Sequence, residues 1–179
     1  MSNEKDKLTA LSNKSKEISS ADDSAGRFLK ELLGDDPGRN FDVDSIFAYK
    51  DKNGDWGWVI FEFLKNDASY STVISSHPNR YWKKNKRKFI SLWALTTTLR
   101  KSGFKASLYL VNYDEELTKI KVMTVDNLVM NTFEKWNDTN HFNHIITTDK
   151  VYDFKEFKEK FRNFNKTKKG ETWEILNLP

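Results

Sequence analysis

The chain has 179 residues and a mass of 21.0 kDa, enough for one domain with its own core and too little for two large ones. Hydrophobic residues make up 37% and charged residues 31%. Mean hydropathy is −0.74, and no window approaches the ~18 uninterrupted apolar residues of a spanning helix, so no membrane association is expected. Cysteine is absent, which excludes disulfide scaffolds, thiolate zinc sites and cysteine nucleophiles. The three histidines, His77, His141 and His144, leave little material for a His-rich metal site. The start of the chain lacks an apolar signal-peptide core, and the expected compartment is the cytoplasm.

In chain order, residues 1–22 are rich in Ser, Lys, Asn and acids and read as a flexible tail, leaving residues 23–179 as a single domain. A helix is predicted from Asp22–Ser24, carrying Phe28, Leu29, Leu32 and Leu33 and stopping at Gly34. Phe41 to Tyr49 reads as a strand, Asn53-Gly54 as a hairpin turn, and Trp56 to Lys65 as a second strand, apolar on both faces and so central in a sheet. Ser69 to Ile74 suggests a short third strand. A long helix from about Arg80 to Lys101 follows, with Phe89, Leu92, Trp93, Thr96 and Leu99 at helical spacing and Gly103 as its stop. Ala106–Asn112 and Lys119–Val125 read as strands, and helices are predicted over Asn127–Trp136 and Asp153–Phe164.

The formal net charge is only +4, but it is unevenly spread. No acid stands between Asp67 and Asp114, where Arg80, Lys83, Lys84, Lys86, Arg87, Lys88, Arg100, Lys101 and Lys105 all fall. A second basic stretch runs from Lys155 to Lys169. Clustered cations of this kind attract phosphate backbones by counterion release. DNA or RNA is therefore the expected partner, with a solvated helix face as the plainer reading.

Two acids stand in telling places. Asp44 opens the first strand and Glu62 lies near the end of the second, within Val59-Ile-Phe-Glu-Phe-Leu-Lys65. A hairpin turning at Asn53-Gly54 brings the open ends of both strands together, with a shared face available in a suitable register. Burying a carboxylate among Val, Ile, Phe and Leu is costly unless it is paired or binds metal. Asp42 is an alternative to Asp44, and Glu31 a further acid.

The order of helix, strand with Asp, strand with Glu, basic helix and strands resembles the PD-(D/E)XK nuclease superfamily, over roughly Asp22 to Val125. That resemblance implies an α/β fold with a restriction-endonuclease-like core, a central mixed sheet flanked by helices. It implies Mg²⁺ or Mn²⁺ held by Asp44 and Glu62, and hydrolysis of phosphodiester bonds in DNA or RNA. The family's lysine belongs two residues after the acid, where this chain has Leu64. Lys65 serves only if a bulge turns it inward. Otherwise the lysine has moved to the following helix, where Lys88 shares a stripe with Tyr81, Leu92, Leu95 and Leu99 and Lys84 is the runner-up, or catalysis is absent.

The segment Ser76-His-Pro-Asn-Arg-Tyr-Trp82 flanks this site. His77 or Asn79 is expected on a phosphate and Tyr81 or Trp82 on a base; as plain structure it is a helix start followed by core aromatics. His141 and His144 read as a loop. A second functional reading is an inactive nuclease-fold binding or inhibitory module of a phage or mobile element, such as an anti-CRISPR protein acting on a host nucleoprotein. A third takes the basic helix as a surface for an acidic protein.

Overall fold

The computed structural model describes residues 43–50, 53–66, 69, 71–129 and 144–166. The tail, the first helix with Glu31, Asp42, His141 and most of the helix expected after Asn127 lie outside the described residues.

The described residues form an α/β structure around a five-stranded mixed sheet. Its strands are β1 (Ser45–Lys50), β2 (Trp56–Lys65), β3 (Lys105–Tyr113), β4 (Lys119–Leu128) and β5 (Ile145–Asp153), lying side by side in sequence order. All neighbours are antiparallel except β2 and β3. A parallel pair needs a crossover, and it is supplied by a 3₁₀ turn (Pro78–Tyr81) and α1 (Trp82–Lys101). α2 (Phe154–Lys166) follows β5 directly.

β1 and β2 join through a turn at Gly54, whose φ of +83° favours glycine. Gly57 is needed for a different reason. It faces Tyr49 across the ladder, and the Tyr49 ring occupies the space a Cβ would take. Gly57→Ala is therefore expected to destabilise the protein by about 1–3 kcal/mol, read as a lower urea midpoint with an unchanged slope.

α1 ends in a Schellman motif. Gly103, at φ +87°, donates to Arg100 O, and Phe104 N donates to Leu99 O at 3.1 Å. Phe89, Leu92 and Thr96 of α1 are buried, and the first two pack on Ile60, Leu108, Leu110 and Met123 of the sheet. The other face carries Val59, Phe61, Val111 and Val122 beneath Phe157 of α2. Among the described residues the sheet thus carries α1 on one face and α2 on the other, as its two-sided apolar strands require.

Four expectations are corrected. Residues 71–75 form a loop and turn, not a strand. Thr72 and Ser75 there bond to each other through side chains and backbone, the local pairing that makes such residues turn formers. Asn127 and Leu128, read as a helix start, extend β4 past a register shift between Val125 and Asn127. β5 is an additional strand that the sequence reading lacks. The helix expected from Arg80 begins only at Trp82, after the 3₁₀ turn.

Candidate active site

The register of the first hairpin decides what meets what. Ser45 pairs with Phe61 and Ile46 with Ile60, so Asp44, one residue before β1, lies at the level of Glu62. Its Oδ2 accepts a hydrogen bond from Phe63 N at 2.6 Å, which ties the carboxylate to the end of β2. Asp44 is exposed to solvent, whereas Glu62 is only 2% exposed.

Glu62 points to the α1 side, with Ile60 and Leu110 as its sheet neighbours. Lys88 reaches it from the second turn of α1, its Nζ standing 2.5 Å from Glu62 Oε1. Glu62 Oε2 is buried and accepts no hydrogen bond. Burial pushes the Glu62 carboxyl up to about 7 from an ordinary 4.5; Lys88 opposes the shift, and the nearby Asp44 carboxyl adds to it. Two carboxyl groups side by side favour a proton or a cation between them.

Asp44, Glu62 and Lys88 are therefore brought together. Lys65 is not. It follows Glu62 by an odd number of residues in a regular strand, and its Nζ pairs with Glu115 Oε1 at 2.8 Å. No bulge interrupts the β2 register with either neighbour, so the catalytic role considered for Lys65 does not fit its position.

The loop entering α1 is pinned to β5. Asn79 is 3% exposed, and its amide grips the backbone of Ile145, donating to the carbonyl at 3.1 Å and accepting from the N–H at 2.9 Å. His77 Nδ1 accepts from Asn79 N, and its Nε2 meets Thr147 Oγ1 at 3.0 Å. Burial holds the His77 ring below its ordinary pKa. Both residues, expected against phosphate, are engaged in positioning the loop. Trp82 likewise belongs to the core, stacked on His144 with ring centroids 4.7 Å apart.

The same loop rests on two residues that sequence reasoning passed over. Lys121, 7% exposed, donates to Ser76 O at 3.0 Å and pairs with Asp149 Oδ2 at 2.9 Å. Asn112 donates to Ser76 O at 3.2 Å, and its buried Oδ1 has no partner. The available signal was period two: Asn112 follows Leu108 and Leu110 on an inward register.

Beside the acids lies a cavity of about 570 Å³, lined among others by Leu64, Arg80, Tyr81, Lys84, Asn85 and Asn112. Leu64 is one strand repeat beyond Glu62, and Lys84 is one helical turn before Lys88. Burial pushes the Tyr81 hydroxyl up to about 12, Ser76 partly offsetting it and Glu62 adding to it. Arg80, Lys83, Lys84 and Arg87 are exposed, and Lys86 is half-buried on a different stripe of α1.

Comparison of the chain with protein-family models, with curated proteins and with solved structures returns no match. What the site can do follows from its own side chains. Among the described residues no three His, Cys, Asp or Glu side chains gather into a metal cage. The pair of Asp44 and Glu62 still suits Mg²⁺, which is commonly held by one or two carboxylates, with water and substrate phosphate completing the shell. The unpartnered Glu62 Oε2 is the atom such a cation would satisfy. No described helix is long and apolar enough to cross a membrane.

Proposed function

We propose that this protein is a metal-dependent nuclease with a restriction-endonuclease-like core, hydrolysing phosphodiester bonds of DNA or RNA. The observation that carries the reading is the convergence of three charged groups from three elements. Asp44 lies before β1, Glu62 lies within β2, and Lys88 lies on α1 with its ammonium 2.5 Å from Glu62. The helix supplies the lysine that Leu64 cannot.

Asp44 and Glu62 would hold Mg²⁺ or Mn²⁺, which lowers the pKa of a bound water and neutralises charge on the phosphate. The protein's own groups do the rest. Lys88 favours the ionised form of Glu62 by charge and hydrogen bond, against the burial that raises its pKa, and its ammonium faces the charge that develops on the phosphoryl oxygens. Phe63 N–H fixes the Asp44 carboxylate. Arg80 of the 3₁₀ turn, with Lys84 and Arg87 on the exposed side of α1, attracts the backbone.

The test is a cleavage panel at low salt. Plasmid, single-stranded DNA and structured RNA are incubated with the protein in Mg²⁺, Mn²⁺ or EDTA. Metal-dependent cutting is the expected result, and binding without cutting in every metal would overturn the reading. Leu64 at the motif's lysine position favours a second reading, an inactive nuclease-fold module that binds nucleic acid or a host nucleoprotein. That module would give salt-sensitive gel shifts and no products.

A further inference from the structure

The cavity next to the acids has features that the hydrolytic site does not need. Its volume of about 570 Å³ falls within the range of small-ligand sites and suits one nucleotide. Arg80 and Lys84 stand along one side as exposed cations, and neither forms an ion pair among the described residues. Asn85 on α1 and Asn112 on β3 add amides from two different elements. Leu64 and the Tyr81 ring add apolar surface.

Asn112 sharpens the chemistry. It is 1% exposed, its Nδ2 is used on Ser76 O, and its Oδ1 is buried without a donor. An unsatisfied buried acceptor costs about 1–3 kcal/mol, and a ligand N–H removes that cost. Cations on one side and amides with apolar surface on the other match a phosphate joined to a heterocycle that carries N–H groups. Inorganic phosphate alone would leave the amides unused, and an apolar ligand would leave the cations unused.

We propose that this cavity takes one unstacked nucleotide of the substrate strand, its phosphate on Arg80 and Lys84 and its base against Asn85, Asn112 and Tyr81. This rests on the nuclease reading and extends it to a substrate class, because a base inside the cavity cannot remain stacked and paired. The substrate is then single-stranded or locally unpaired nucleic acid.

Binding can be measured without cleavage. The four nucleoside 5′-monophosphates are titrated into the protein in EDTA by calorimetry, beside inorganic phosphate and the free nucleosides. At least one mononucleotide is expected to bind about tenfold or more tightly than either part alone, a difference of ~1.4 kcal/mol. Lys84→Ala, an exposed position, and Asn85→Ala are each expected to weaken it about fivefold or more. Single-stranded DNA should compete for the site and duplex of the same sequence should not.

Mononucleotide affinity no better than that of phosphate would overturn the proposal, and so would affinity indifferent to both Lys84→Ala and Asn85→Ala. Preferential cutting of fully paired duplex would also overturn it while leaving the nuclease reading intact. Mononucleotide binding in a protein that never cuts would support the cavity and sink the hydrolytic assignment.

Discussion

Glu62→Gln is expected to reduce metal-dependent cleavage by about 10³-fold, since a metal ligand contributes several kcal/mol to stabilising the transition state. The same substitution is expected to make the protein more stable at alkaline pH. The reason is the carboxyl pushed up to about 7 from an ordinary 4.5. Above 4.5 the unfolded chain releases this proton while the folded protein keeps it until about 7. The unfolded state therefore binds fewer protons across that window, and stability falls as pH rises through it. The loss amounts to about 3 kcal/mol once both states are ionised. Glutamine does not titrate, so the variant escapes the loss. Urea unfolding in EDTA at pH 5 and pH 8 reads the effect. A variant less stable than the parent at pH 8 would show that Glu62 serves the fold. Added Mg²⁺ should stabilise the parent at pH 8 and not the variant.

Lys88→Met is the second large effect, with cleavage at pH 7 expected to fall by about 10²–10³-fold. Two losses combine in it. The ammonium no longer faces the phosphate, and Glu62 loses the partner that lowers its pKa. The Glu62 carboxyl, at about 7 with Lys88 in place, is then pushed higher still, and the acid limb of the pH–rate profile moves to higher pH. Raising the pH to 9 should recover the part that reflects Glu62 ionisation and leave the remainder. Lys88→Arg, which keeps the charge, should hold the acid limb near that of the parent. A Lys88→Met profile that coincides with the parent's would separate Lys88 from the chemistry.

How far these residues could be read from sequence depended on their surroundings. Glu62 stood out because the cost of burying a carboxylate is legible wherever an acid interrupts an apolar strand. Lys88 was legible because a helix repeats every 3.6 residues, which placed it on one stripe with Tyr81 and Leu92. The glycine turn brought Asp44 and Glu62 to the same end of the hairpin but left the register open, and the pairing of Ser45 with Phe61 sets them level. By contrast, Ile145-Ile-Thr-Thr-Asp-Lys-Val-Tyr-Asp153 mixes charges into an edge strand, and its pairing with β4 comes from tertiary context. Ser69 to Ile74 has strand composition, yet Thr72 and Ser75 satisfy one another locally. His77 and Asn79 look like ligand residues in sequence. Only the fold reveals that the Ile145 backbone and Thr147 claim them.

That last arrangement has a consequence during synthesis. His77 finds its Thr147 partner 70 residues later in the chain. Glu62 and Lys88 leave the ribosome well before the strand that fixes the loop between them. A nascent chain that stops short of β5 carries Glu62 and Lys88 without the partners that pin the loop beside them. The loop and the cavity it borders are therefore complete only once β5 has been made, and chains released before it lack that anchor.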